Sequence, residues 1–174
     1  MPRRRQPEPP IYTFRVRILG GYYAPSKATA VWRDIEVAAN QTLADLGNAI
    51  PEAFAFDDPH LWSFFLSGKA WDRATEYALQ SDAGLMGGPR SRAAGRVQIR
   101  DVPLPGATGK KEFLFLFDYG DEWHFGVKLK QLSDHVDSGA QYPRVVAEQG
   151  EAPPQYPDME EDDGDEADEA DEDS

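Results

Sequence analysis

The chain has no cysteine, so a disulfide, a zinc–thiolate site and a thiol nucleophile are all excluded. That absence suits a reducing, cytoplasmic compartment. Long apolar runs are also missing. The longest, Phe113 to Phe117, has five residues, far short of the roughly 20 that span a bilayer, so no membrane association is expected. The start, MPRRRQPEPP, is basic but is followed by no apolar stretch of signal-peptide type. There is no Gly-x-Ser-x-Gly elbow, no His-Glu-x-x-His pair and no phosphate loop, and no internal repeat. These gaps remove the common hydrolase, zinc-protease and nucleotide-binding classes, and no cofactor is implied.

Bases are missing from one region only. Asp158 to Ser174 reads DMEEDDGDEADEADEDS, with 12 acids and no Lys or Arg. Without those 12, the remaining 19 acids face all 18 bases, so the net charge of -13 resides almost wholly in this end. A block of like charges repels itself and is expected to stay disordered. The rest of the 174 residues is well supplied for a core, with 40% hydrophobic residues and nine Phe, seven Tyr and four Trp. One domain with tails follows: a flexible basic arm at 1–10, a folded body at 11–147 and a disordered acidic tail at 148–174.

Within the body, IYTFRVRI alternates, with Tyr12, Phe14, Val16 and Ile18 on one face, as a half-buried strand does. AVWRDIEV alternates again, with Val31, Arg33, Ile35 and Val37 opposite Trp32, Asp34 and Glu36. The arginine among the aliphatics reads as an edge residue with its head in water. Thr42 and Asp45 resemble a capping box, though Asp is less favoured there than Glu, and Leu43, Leu46, Ile50 and Phe54 make one helical stripe. Pro51 presses on the Gly47 carbonyl and predicts a kink or an early end, with Phe54 and Phe56 in a short turn beyond it.

HLWSFFLSG has strand composition, whereas residues 84–111 are rich in Gly and Pro and carry six bases against the single acid Asp101. That segment reads as a long basic loop with a short strand at RVQIR. EFLFLFD predicts a strand buried on both faces, and WHFGVKLK one with Trp123, Phe125, Val127 and Leu129 inward. QYPRVVAEQGEAPPQYP reads as the way out of the domain. The expected fold is therefore α+β: a small mixed or antiparallel sheet, one main helix packed on a face, and a C-terminal hairpin.

The candidate sites each have a plain reading beside a chemical one. In DYGDEWH, Gly120 and the amide-binding Asp118 and Asp121 suffice for a hairpin turn. The same turn offers a carboxylate and histidine cluster, Asp118, Asp121, Glu122 and His124, for a cation or for acid–base work, with Trp123 beside it in the candidate surface. Asp57, Asp58 and His60 make an Asp-Pro turn that would join them if the fold brought the two together. A metal site would then draw on Asp58, His60, Asp118 and Asp121. In the basic loop, Arg90, Arg92, Arg96, Arg100, Lys110 and Lys111 are either a solvated surface or a phosphate contact that the acidic tail would compete for. Interleaved aromatics, which would stack bases, are missing there.

The order of these pieces is more specific than any one of them. Trp32 and Arg33; Thr42, Leu43 and Leu46; Ala53 and Phe54; Asp57, Asp58, His60 and Leu61; and the Phe117-Asp118-Tyr119-Gly120-Asp121-x-Trp123 hairpin resemble the plasmid pRiA4b ORF-3-like family. The resemblance spans roughly residues 11–132. Phe56 stands where Trp or Tyr is common, Phe125 stands where many members have His, and Pro51 interrupts the helix. The resemblance implies a compact α+β domain. The family is also described as a TnpR-like passenger of insertion elements, which would imply a resolvase, but no serine here has arginines around it for that chemistry. The reading that follows is a non-catalytic plasmid or mobile-element accessory domain with a protein partner, using the two acidic turns as its surface. The alternatives are a nucleic-acid-associated protein acting through residues 90–111 and a metal-dependent enzyme built on the two turns.

Overall fold

Alternation in the first two segments produces two long antiparallel strands, β1 (Ile11–Gly20) and β2 (Trp32–Ala38), paired from Ile11↔Ala38 to Arg17↔Trp32. The computed structural model describes residues 10–79 and 91–158. After β2 comes helix α1 (Leu43–Ala53), then β3 (Trp62–Phe65), β4 (Glu76–Ala78), β5 (Arg92–Ala93), β6 (Phe113–Phe117), β7 (Trp123–Ser133) and β8 (Arg144–Gln149). They form one eight-stranded sheet in the order β5-β4-β3-β6-β7-β1-β2-β8. All pairs are antiparallel except β4–β5. The α+β class holds, but the sheet is far larger than the small one expected, and the domain is mostly β.

The helix begins where its capping box lies. Thr42 accepts from the Asp45 amide at 3.1 Å, and the Asp45 carboxylate accepts from the Thr42 amide at 2.8 Å. It ends two residues after Pro51, with Phe54 as its C-cap and Ala55 at φ 56°. The proline therefore gives an early end. Leu43, Leu46, Ile50 and Phe54 face the sheet and join Val16, Ile18, Ile35, Val37, Phe115 and Phe125 in the main core. Gly47 is where helix and sheet come closest, since a Cβ there would lie 2.3 Å from the Trp62 ring.

The FLFLF strand lies fourth in the sheet, and all five of its residues are buried. Phe113, Phe115 and Phe117 join the main core, while Leu114 and Leu116 form a second cluster with Phe65 on the other face. Register with β7 runs Phe113↔Val127, Phe115↔Phe125 and Phe117↔Trp123, so the hairpin expected from the alternation is present at the middle of the sheet.

Three expectations are corrected. Arg33 is not at an edge: β8 pairs with β2 outside it, and the residue is 6% exposed. Its guanidinium donates to the carbonyls of Ala53 (3.2 Å), Gln149 (3.2 Å) and Gly150 (3.1 Å) and lies 5.1 Å from the centre of the Phe54 ring. It thereby supplies a donor to the end of α1, where carbonyls lack helical partners. RVQIR is no strand. It holds parts of two 3-10 turns, Ala94–Arg96 and Ile99–Asp101, and touches the sheet-side chain through one bridge, Thr42↔Gln98. The body does not stop at 147. β8 runs to Gln149, and Gln155 is buried beyond it. The arm at 1–9 and residues 159–174 of the acidic tail lie outside the described residues.

Replacing Gly47 with alanine tests the close approach. Helix propensity favours Ala by about 1 kcal/mol, but forcing a methyl against Trp62 costs about 1–3 kcal/mol and more where the indole cannot shift. Gly47→Ala is expected to lower the urea midpoint with an unchanged m-value. Arg33→Met leaves several carbonyls without their donor and is expected to cost about 2–4 kcal/mol in the same measurement.

Candidate functional site

The two acidic turns meet. The first, Asp57 to His60, links the end of α1 to β3; the second, Asp118 to Glu122, joins β6 to β7. Register between β3 and β6 sets Trp62 opposite Phe117, which brings the residues before the one beside the residues after the other. The Asp118 amide donates to the Leu61 carbonyl at 2.9 Å, and His60 Nε2 stands 3.3 Å from Asp118 Oδ2. The His60 ring also sits edge-on to Phe117 at 5.8 Å.

Asp118 is itself the turn residue. At φ 64° it takes the left-handed conformation that Asp tolerates, and its Oδ1 accepts from the amides of Gly120 (3.0 Å) and Asp121 (3.3 Å). This leaves Oδ2 for His60.

A third segment closes the cluster. Gln155 Oε1 accepts from the Asp58 amide at 3.1 Å, and Gln155 Nε2 donates to the Asp58 carbonyl at 3.0 Å, so one side chain pairs with the backbone of Asp58 as a neighbouring strand would. The Tyr156 hydroxyl donates to Asp58 Oδ2 at 2.8 Å and lies 2.7 Å from His60 Nε2. With the hydroxyl proton directed at Asp58, His60 Nε2 is the donor to the Tyr156 oxygen, and Asp118 Oδ2 stands 3.3 Å from the same nitrogen. Burial, the bond to Asp58 and the charges of Asp58, Asp118 and Asp121 push the Tyr156 phenol up to about 12 from 10. The result is a clasp of Asp58, His60, Asp118, Gln155 and Tyr156 that fastens the C-terminal segment to the turn end of the sheet.

The other candidates fall elsewhere. Asp57 is exposed and makes no side-chain bond in the clasp. Trp123 is fully buried, packed at 4.7 Å on Phe56, and its Nε1 is the one buried side-chain polar atom among the described residues without a hydrogen-bond partner. Asp121 and His124 border an open cleft of about 330 Å³ with Leu19, Gly21, Tyr22 and Glu122. The Tyr22 ring there is 79% exposed, and its amide donates to the Asp121 carbonyl at 2.9 Å. Glu122 (φ 49°) accepts from Trp71 Nε1 at 2.9 Å, and Trp71 is itself held at φ 64° while 42% exposed. Left-handed conformations cost Trp and Glu energy and collect at binding sites. Among the described residues no group of three or more Asp, Glu or His is arranged to hold a metal ion.

The basic loop is more structured than expected. Arg92 belongs to β5, donates to the Ala74 carbonyl at 2.9 Å and lies over Tyr77. Arg96 and Arg100 end or sit within the 3-10 turns, and both are exposed, as are Lys110 and Lys111. Arg90 lies outside the described residues. Among these residues no helix is long and apolar enough to cross a membrane.

Sequence reasoning missed Gln155, Tyr156, Tyr22 and Trp71. The only local signal for the first two is a polar–aromatic pair between Pro154 and Pro157, residues that hold the chain extended.

The raised phenol gives a pH prediction. Its contribution to stability is fully present below the unfolded value of 10 and is lost as pH rises through the folded value of about 12. In an absorbance titration at 295 nm, Tyr156→Phe is expected to remove a tyrosine that ionises near pH 12. Loss of an early-titrating tyrosine instead would show that the clasp does not form.

The family model described as plasmid pRiA4b ORF-3-like protein matches residues 15–162. Among solved structures, the chain is similar to MM3350, a protein of unknown function from Methanosarcina mazei Go1, at 23% identity and a TM-score of 0.63. That likeness covers 84% of this chain and 72% of the other, and it speaks to the fold alone. No curated protein matches the chain. Since the family model runs from β1 through the C-terminal segment that closes the clasp, the chain belongs to the plasmid pRiA4b ORF-3-like family.

Proposed function

We propose that this domain is a non-catalytic accessory module of the plasmid or mobile-element kind, working in the cytoplasm by holding a protein partner. The observation that supports this is the clasp itself. Acid–base catalysis needs a carboxylate or imidazole free to meet a reacting atom. Here Asp118 is bonded to two amides and faces His60, while Asp58 and His60 are both bonded to Tyr156. The cleft of about 330 Å³ is bordered by Asp121, Glu122 and His124 and by none of the clasp's own side chains.

The surface offered to a partner is this cleft. Its lining includes two carboxylates and no Lys or Arg, and Tyr22 presents an open ring at its side. That combination suits a basic side chain on a partner segment, through ion pairing and cation–π contact. The family name supports the plasmid setting, and a chain without cysteine is at home in a reducing compartment. The nucleic-acid and metal readings have no comparable observation behind them.

The test starts from a partner captured from native cells on the full chain, identified, purified and titrated. Asp121→Asn with Glu122→Gln is expected to weaken binding about 10-fold, while His60→Gln stays within about 2-fold of the parent. Equal affinity for the cleft variant, or turnover of a bound compound that His60→Gln abolishes, overturns the reading.

A further inference from the structure

Seven large apolar side chains stand well exposed among the described residues, and four of them, Tyr22, Leu61, Trp71 and Tyr156, gather at one place. Each is tied to one of the two acidic turns. The Tyr22 amide donates to the Asp121 carbonyl at 2.9 Å, and the Leu61 carbonyl accepts from the Asp118 amide at 2.9 Å. Trp71 Nε1 donates to Glu122 at 2.9 Å, and the Tyr156 hydroxyl donates to Asp58 at 2.8 Å. The rings form two braced groups. Tyr22 lies edge-on to Tyr23 at 4.8 Å, and Tyr23 lies edge-on to Tyr156 at 6.2 Å. Trp71 lies edge-on to Tyr119 at 5.2 Å and to Phe65 at 6.0 Å. Exposed Trp and Tyr rings gathered in one patch mark a surface that meets a partner.

Charge at this end of the sheet has one sign. Segments 19–23, 57–61, 118–124 and 155–158 hold Asp57, Asp58, Asp118, Asp121, Glu122 and Asp158 and no Lys or Arg. In the loop that carries Trp71, Lys69 and Asp72 cancel, and Arg73 beyond them is bonded to Glu76 at 3.2 Å. Lys27 lines a separate cleft together with Glu151. Among the described residues, the only basic groups that reach any of the six carboxylates are His60 and His124. Glu122 Oε1 is held by Trp71, whereas Glu122 Oε2 and both carboxylate oxygens of Asp121 have no partner among the described residues.

We propose that this end of the sheet seats an arginine from an extended segment of a partner protein, with the guanidinium between the Tyr22 ring and the carboxylates of Asp121 and Glu122. This assignment rests on the cleft being a partner surface, and it narrows the partner to one side chain. The cleft of about 330 Å³ admits a single long side chain. Arginine fits it better than lysine. Its planar fork pairs with two oxygens at once while its face stacks on an aromatic ring, and it sheds water more readily than the compact ammonium. The fold uses the same combination twice within itself. Arg15 makes two bonds to Asp34 and stacks 3.6 Å from the centre of the Trp32 ring. Arg144 is bonded to Glu36 and Asp137 and lies 5.0 Å from the centre of the Tyr142 ring. In the cleft the ring and the carboxylates are in place, and the arginine is the part a partner would bring.

Two acetylated pentapeptides, Gly-Arg-Gly-Arg-Gly and Gly-Lys-Gly-Lys-Gly, titrated separately into the nitrogen-15-labelled full chain and followed by NMR, test this. Any cationic peptide is also drawn to the 11 acids of residues 159–174, and their own signals report that binding separately. The arginine peptide is expected to shift the Tyr22, Asp121 and Glu122 amides and the Trp71 indole N–H, with an affinity about fivefold above that of the lysine peptide. Tyr22→Ala, at a position 79% exposed, is expected to weaken the arginine peptide about fivefold and to leave the lysine peptide within about 2-fold. Equal or tighter cleft binding of the lysine peptide, or an arginine affinity unchanged in Tyr22→Ala, overturns the arginine assignment while leaving the cleft a surface for basic segments. Shifts confined to residues 159–174, or no shifts at all, overturn both.

Discussion

Everything at the C-terminal side of this domain depends on one buried guanidinium. Arg33 sits on the inner face of β2 with the aliphatic residues, yet it holds carbonyls from two distant segments: the end of α1 at Ala53, and the end of β8 at Gln149 and Gly150. A buried cation is tolerable only when its donors are matched, and backbone carbonyls supply that match with only the exposed Glu148 carboxylate nearby at 3.5 Å. The consequence is positional. With β8 held against β2, the chain turns at Gly150, where φ is 78°, and runs back to deliver Gln155 and Tyr156 to Asp58 and His60. The clasp is an outcome of the arginine.

The clasp shows how acids and a histidine can gather without forming a reactive centre. Each polar atom has a stabilising duty. Asp118 shapes the β6–β7 turn, His60 joins that turn to Tyr156, and Gln155 stands in for a strand along the backbone of Asp58. Two turns separated in sequence are thereby fixed relative to each other, and the cleft beside them inherits a fixed outline. The strained Trp71 and Glu122 make sense on such a base, since left-handed residues persist only where their surroundings determine them.

What was legible in the sequence followed from periodicity. Alternation in β1, β2 and β7, the doubly apolar β6 and the capping box at Thr42 are local patterns with local causes, and each corresponds to its element. Arg33 was placed on the correct face by parity but assigned to water, because its carbonyl partners come from up to 117 residues away. β8 looked like an exit for the same reason: the partner that makes it a strand is β2. RVQIR alternates convincingly, yet Gln98 finds a single bridge to Thr42 and the backbone around it turns instead. The DYGDE turn was plain, and its neighbourhood with Asp57 to His60 was open from the sequence and settled by pairing between β3 and β6. Gln155 and Tyr156 act through contacts 97 and 98 residues distant from Asp58, beyond any local signal.

The 117-residue separation between Arg33 and Gly150 also bears on how the chain is made. Synthesis proceeds from the N-terminus at about 5–20 residues per second, so Arg33 exists for about 6–23 seconds before Gly150 has been added. Throughout that interval the guanidinium faces an inner surface that cannot yet bury it. The early strands must wait in a partly open state, and the domain closes only when β8 arrives.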